Sequence, residues 1–509
     1  MLPLHLQPQS HVPLYIQLRD QLRALVHAGD LRPGDRIPAS RELATMLGVH
    51  RTTVANAYAE LESEGLIQGH VGRGTFIKGN GNGLKITPPA PPVLNGNGGI
   101  RWELLFADER GEEVLSRLTA NVPEDALSFV MARPAEEFFP VEELQTCVNA
   151  VLRREGKTLA TYGLASGPQG YRPLREFLTT KLRRDAGIDC IADDILIVSG
   201  SLQALDLVNA TLLARGDTVV VEQETYQGAL NRLTRLGVTA VGIPLDHEGM
   251  RMDALASTLA ELKSRGIRPK YIYTIPTVQN PTGTIMPVTR RTELLLLSAE
   301  YGVPIFEDDC YADLIWEGKR PPAIHAMASN SGVIHIGSFS KSIAPALRVG
   351  YIVAPWEMLS RMLALKTDAG SGALEQMVLA EYCAPHFATH VPKLTRGLRA
   401  KLDVLMEALN EQFGTSAEFE DTKGGIFLWV KLPDNVDTLK LYQAALAAGV
   451  AINPGPEWST DRAFSRSRLR LCFASPSAEQ IREGVAVLAD VCRREFGVPT
   501  RIANVEKRA

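Results

Sequence analysis

The chain runs to 509 residues with a formal net charge of −4, and 45% of its residues are hydrophobic against 22% charged. That balance excludes disordered and collagen-like chains, and at about 100–200 residues per domain the length predicts two to four domains with ample chain to bury a core. No run approaches the ~18 consecutive apolar residues of a membrane span, and the start, MLPLHLQPQS, lacks a charged segment followed by a long apolar one, so the expectation is a cytoplasmic protein without a membrane partner.

Pro13-Leu14-Tyr15-Ile16-Gln17-Leu18 opens a helix with apolar residues at 14, 18, 22, 25 and 26, stopped by Gly29. Residues 39–47 form a second, short helix opened by Ala39-Ser40-Arg41-Glu42, and Gly48-Val49 makes the turn into a third, from about His50 to Ser63. This third helix buries Val54, Ala57, Tyr58 and Leu61 and stops at Gly65. Leu66-Ile67-Gln68 and Thr75-Phe76-Ile77 read as short strands around the glycine-rich turn Gly69–Gly74. Two helices joined by a tight turn, then a β-wing, make an α/β winged helix-turn-helix over residues 1–78.

His50-Arg51-Thr52-Thr53 places hydrogen-bonding groups at the end of the third helix that normally enters the major groove of double-stranded DNA. Arg51 suits guanine O6/N7, while Thr52 and Thr53 suit phosphate or base edges. Ser40 and Arg41 suit the phosphate backbone, and in the wing Arg73 and Gly74, with His70 and Lys78, meet no acidic residue between Gly65 and Asn80. Yet residues 11–80 hold eight Arg or Lys against seven Asp or Glu, so the acids are expected behind the recognition end. A winged helix used for protein contacts is the alternative.

Residues 79–99 carry 14 Gly, Pro or Asn in 21 positions and read as part of a linker spanning 79–119. The body, 120–509, alternates helical patterns with near-continuous apolar runs at Ile195–Val198, Thr218–Val221, Tyr271–Ile275, Val303–Phe306, Val333–Ile336 and Arg348–Val353. Such runs predict a mostly parallel α/β sheet covered on both faces. The large subdomain is placed at about 160–390, and a smaller one at about 391–509 plus the start of the body, with strands at Ile426–Val430 and Leu469–Phe473. Six cysteines, scattered without CxxC pairs, suggest neither disulfides nor a metal site.

Gly337-Ser338-Phe339-Ser340-Lys341, followed by Arg348, sets a lysine at a strand end among hydroxyls with an arginine seven residues on. That suits pyridoxal 5′-phosphate (PLP), with Lys341 on the aldehyde and Ser338, Ser340 and Arg348 on the phosphate. A surface lysine in a loop is the commoner meaning of such a motif alone. Ser199-Gly200-Ser201-Leu202 ends a strand and opens a helix, so Gly200, Ser201 and Leu202 offer backbone N–H groups to the same phosphate, unless the turn is an ordinary cap. In Glu307-Asp308-Asp309-Cys310-Tyr311, Asp308 is preferred over Asp309 as partner of the pyridine nitrogen, because it precedes Tyr311 by three residues. Tyr311, together with Asn280 of Gln279-Asn280-Pro281-Thr282-Gly283, can reach the phenolic oxygen. Tyr226 can stack on the ring, and Arg468 and Arg470, alternating in one strand, form a fork for a substrate carboxylate unless they line a solvated edge.

The run PGDRIPASRELATMLGVHRTTVANAYAELESEGLIQGHVGRGTF resembles the GntR-type winged helix. The ordered body motifs resemble the fold type I, class I/II aminotransferases over about residues 120–500. The resemblance implies that Lys341 is the aldimine lysine, Arg470 the carboxylate anchor, and Tyr162 a contact to the phosphate of the other subunit, hence a homodimer with shared PLP sites. The combination resembles the MocR subfamily of transcription regulators, and implies a PLP-dependent DNA-binding regulator that senses an amino compound as an external aldimine. Two alternatives stay open: an active aminotransferase that carries a head, and a sensor of PLP itself.

Overall fold

The computed structural model describes residues 3–8, 12–70, 74–78, 123, 126–134, 136–161, 167–328 and 332–499. Arg73, Tyr162 and the predicted linker at 79–119 lie outside the described residues. The chain divides into two compact units, Met1–Ala107 and Asp108–Ala509.

In the first unit, helices α1 (Leu14–Ala28), α2 (Ser40–Leu47) and α3 (Arg51–Ser63) are joined by short turns. α1 and α2 stop where Gly29 and Gly48 take φ of 82° and 66°, a region in which a side chain would clash with its own backbone. Strands β1 (Arg36–Ile37), β2 (Ile67–His70) and β3 (Gly74–Ile77) form an antiparallel sheet in the order β1-β3-β2. β1 was not expected, because two residues carry no readable periodicity. Leu18 and Leu22 of α1 meet Val54, Ala57 and Leu61 of α3 and Ile37 and Ile77 of the wing in one core. Arg19 of α1 donates to Glu60 at 2.6 Å, and Arg23 pairs with Glu64, so acids at the far end of α3 are neutralised by α1. The recognition end is left to Arg51 and the N-terminal turn.

The second unit is built on a seven-stranded sheet. Its strands are β5 (Ile195–Val198), β6 (Thr218–Glu222), β7 (Thr239–Ile243), β10 (Ile272–Thr274), β11 (Ile305–Asp308), β12 (Val333–Ser338) and β13 (Gly350–Val353), in the order β5-β13-β12-β11-β10-β6-β7. β13 runs antiparallel to both neighbours and the other pairings are parallel. β8 (Leu245–Asp246) and β9 (Gly249–Met250) make a small hairpin beside it. Alternate residues of β5 enter different cores: Ile195 and Ile197 pack with helices 172–186 and 373–412, Leu196 and Val198 with helices 201–212 and 356–365. Both faces are therefore covered, which is why the strands read as unbroken apolar runs. β7 escaped the sequence reading because its residues are mostly half-buried, whereas β5, at the other edge, is buried throughout.

The terminal sheet orders β14 (Phe427–Lys431), β17 (Arg468–Cys472) and β16 (Asn453–Pro454) as β14-β17-β16. β15 (Val450–Ala451) pairs in parallel with β4 (Leu127–Ser128), which draws the start of the body into this core. One helix, Ala373–Gln412, serves two cores: Met377, Leu379 and Cys383 pack beneath the large sheet, and Leu398, Leu402 and Leu405 beneath the terminal one. The six cysteines are free and buried. Among the described residues no helix is long and apolar enough to cross a membrane.

Candidate functional site

The carboxyl ends of the parallel strands converge on a cavity of about 400 Å³, where the crossover loops of an α/β sheet leave room for a ligand. β11 delivers Asp308, the segment after β10 delivers Asn280, the segment after β6 delivers Tyr226, and the turns after β5 and β12 deliver Ser201 and Lys341. β17 of the terminal sheet contributes Arg470 from the opposite wall.

Strand alternation separates the three acids at the end of β11. Glu307 turns to one side, where it accepts from the backbone N–H of Ile324 at 2.7 Å and lies 3.0 Å from His335 Nδ1. Asp309 pairs with Arg320 at 2.5 Å. Asp308 faces the cavity with no cationic partner among the described residues. Its Oδ2 accepts from the Tyr273 hydroxyl at 2.7 Å and its Oδ1 from the Cys310 backbone N–H at 3.3 Å. Burial pushes the Asp308 carboxyl above the ordinary aspartate range. A cationic ring nitrogen placed against it would supply the missing counter-charge.

Asn280 links two other groups: its Nδ2 donates to the Tyr311 hydroxyl at 3.3 Å, and its Oδ1 accepts from Arg470 Nη1 at 3.0 Å. Arg470 also donates from Nη2 to Val130 O at 3.3 Å, and its guanidinium stacks 3.6 Å from the centre of the Trp458 ring. The Arg470 Nε and the Trp458 Nε1 are buried without acceptors. Buried donors left unpaired cost about 1–3 kcal/mol each. Tyr226 lies 6.2 Å from Trp458, ring centre to ring centre, on the same wall. Of the predicted arginine fork only Arg470 enters the cavity, since Arg468 pairs with Glu224 at 3.3 Å.

Lys341 Nζ donates to Ala132 O at 2.7 Å and sits 5.8 Å from the Tyr311 ring centre. Burial and the nearby Arg470 push its ammonium down to about 8. Facing it, helix 201–212 opens at Ser201 after Gly200, whose φ is 82°. A Cβ on Gly200 would lie 2.3 Å from Arg348 Nη2, so glycine is what lets the guanidinium reach the helix start. Arg348, itself at φ 52°, donates to Ser199 O and Pro345 O at 3.1 Å each. Leu202 and Ser340 complete this end of the wall. Ser338 lies behind it, where its Oγ accepts from the Ser340 N–H at 3.1 Å. The donor set fits PLP: an anion end at Ser201 and Arg348, a lysine between, and an uncompensated carboxylate at the far end.

The sequence reading missed Trp458, Cys310 and the segment Met131–Arg133, all on the cavity wall. Cys310 sits inside a motif that was read for its neighbours. Residues 131–133 are brought in by the pairing of β4 with β15, two-residue strands far apart in sequence that leave no pattern to read.

In the head, Ser40 opens α2 and Arg41 and Arg51 are exposed. His50 caps α3: its Nδ1 lies 2.8 Å from Thr52 Oγ1 and accepts from the Thr52 N–H at 3.4 Å, while the Thr53 N–H bonds His50 O. A Cβ on Gly74 would approach Arg36 Nε to 2.8 Å, which adds Arg36 to the basic groups beside the wing.

Residues 138–488 match the family described as aminotransferase class I and II, and residues 14–77 match bacterial regulatory proteins of the gntR family. The chain is 32% identical to an uncharacterized HTH-type transcriptional regulator, YdfD of Bacillus subtilis, over 93% of its own length and 95% of that protein. It is 26% identical to the probable rhizopine catabolism regulatory protein MocR of Rhizobium meliloti, over 94% of each chain. Among solved structures, LysN, the alpha-aminoadipate aminotransferase of Thermus thermophilus complexed with N-(5′-phosphopyridoxyl)-L-leucine, superimposes with a TM-score of 0.71 at 31% identity, covering 78% of this chain and all of that one.

Proposed function

The chain belongs to the class I and II aminotransferases fused behind a gntR-type head, an architecture consistent with the MocR-like transcription regulators, and from that premise we propose that its body binds PLP at Lys341 and reports an amino compound to a DNA-bound head. The observation that carries this reading is the pair of poles in one cavity, with Ser201 and Arg348 at one end, the unpaired buried Asp308 at the other, and Lys341 between. When bound, PLP supplies an aldehyde that combines with primary amines and a ring that draws electrons from them. Asp308, fixed by Tyr273 and the Cys310 N–H, would hold the ring nitrogen protonated. Tyr311 and Asn280 would hold the phenolic oxygen, and Tyr226 would flank the ring.

Lys341 also carries the signal. Its ammonium holds the carbonyl of Ala132, and Arg470 holds that of Val130. Both carbonyls belong to the segment that follows the linker in sequence. A lysine nitrogen engaged by the cofactor would no longer hold Ala132 O, so occupancy of the site would be linked to the position of this backbone. The head acts as one half of a homodimer, with Arg51, Thr52 and Thr53 toward base edges, Ser40, Arg41 and His50 near the backbone, and the wing's Arg73 and Gly74 alongside.

Active transamination is a second reading, favoured by the convergence of Lys341, Asp308, Asn280, Tyr311 and Arg470 on one cavity with no essential group missing. The test is binding of the PLP-loaded protein to DNA upstream of its own gene, with nonspecific competitor, before and after amines are added. Sequence-dependent binding that changes with an amine, and that no longer responds in Lys341→Ala, is expected. Turnover of an amino donor and a keto acceptor without specific DNA binding would decide for the enzyme.

A further inference from the structure

The charges around the cavity leave one cation without a task, and from it we propose that the amine sensed here carries a second acidic group, received by Arg133. The inference rests on the PLP reading above. The wall holds four cationic side chains, Lys341, Arg133, Arg348 and Arg470, against a single carboxylate, Asp308. Three have tasks already. Arg348 lies beside the start of helix 201–212 at the phosphate end, and Lys341 meets the aldehyde. Arg470, on the wall with its guanidinium stacked on Trp458 and one nitrogen on Asn280, is the anchor for the carboxylate of an amino acid in that reading.

Arg133 is different. It is exposed at the cavity mouth, and among the described residues no hydrogen bond or ion pair engages its guanidinium. The backbone that carries it is nevertheless fixed. Its own N–H donates to Met131 O at 3.0 Å, and the carbonyl of Val130 takes Arg470 and, at 3.2 Å, Asn453 Nδ2, none of which depends on Lys341. A five-donor fork is thus set on a pinned segment, facing a wall whose one anion is committed to the ring nitrogen. The matching charge comes with the ligand. Guanidinium and carboxylate pair bidentately, so the favoured class is an amino acid with an α-carboxylate for Arg470 and a distal acid for Arg133. A neutral side chain leaves Arg133 unpaired and a basic one is repelled.

The experiment titrates the PLP-loaded, full-length protein with matched pairs, L-glutamate against L-glutamine and L-aspartate against L-asparagine, and reads the change in cofactor absorbance. At least one acid is expected to bind about tenfold more tightly than its amide, the scale of a charge-assisted hydrogen bond. Arg133→Leu removes that preference and Arg133→Lys retains part of it. Acid and amide binding alike in the native protein, or a preference that survives Arg133→Leu, overturns the proposal. A protein that acquires no cofactor absorbance before any amine is added overturns the reading beneath it, and that failure is seen at a separate step.

Discussion

Burial and the Arg470 guanidinium push the Lys341 ammonium down to about 8, against about 10.4 for an ordinary lysine. Only the neutral amine attacks an aldehyde, and a lowered value means that the neutral fraction grows as pH rises through 8 rather than through 10. PLP uptake by the cofactor-free protein is therefore expected to accelerate from pH 6 to 8 and level off above about 9, as measured by absorbance after rapid mixing; a rate still climbing steeply at pH 10 would contradict the assigned environment. The residues behind this chemistry were legible in sequence wherever a strand end and a functional side chain are adjacent, as at Asp308 and Lys341. Trp458 and Arg133 were not, because each reaches the cavity only through packing of the terminal sheet. Ser338 stands in the same motif as Lys341, and its Oγ accepts from the Ser340 N–H, which leaves its own O–H free to donate to a phosphate.

At the scale of elements, reading succeeded where burial is symmetrical. β5, β6, β10, β11, β12 and β13 are buried on both faces and announced themselves as apolar runs, whereas the half-buried β7 and the two-residue β1 did not. Helix 373–412 resisted reading for another reason. Pro385 and Pro392 each remove a backbone donor and would normally end a helix, yet the helix continues because it is anchored on both sides of them, by Met377, Leu379 and Cys383 before and by Leu398, Leu402 and Leu405 after. Tertiary burial outweighs local propensity here. Truncating one anchor tests that balance: Leu402 is fully buried, so Leu402→Ala is expected to destabilise the protein by about 2–5 kcal/mol in denaturant unfolding, the usual range for a core leucine. A cost below about 1 kcal/mol would mean that the helix after Pro392 is held by something other than this core.

For the whole molecule, the question is how a change of one hydrogen bond in the body is read on DNA. Covalent order supplies the link. The segment whose carbonyls are held by Lys341 and Arg470 lies near the start of the body, beyond the predicted linker 79–119, so the ligand site and the head are joined through one stretch of chain. The head itself is weakly basic: Glu60 and Glu64 are already paired with Arg19 and Arg23, and beside the base-reading Arg51 the cations proposed for phosphate are the exposed Arg36, Arg41 and Lys78, with Arg73 from the sequence reading of the wing. Each phosphate neutralised contributes about −0.9 to the slope of log affinity against log salt, so four contacts give a slope near −3.6 for one head and about −7 for two bound together. In the homodimer proposed above, both heads bound together would reach the steeper value. The salt dependence of operator binding by the full-length protein is therefore expected near the steeper value, and an amine that splays the heads is expected to drop it toward the shallower one. A slope near −3.6 with and without ligand would show that a single head binds, and would remove dimer geometry as the quantity the body controls.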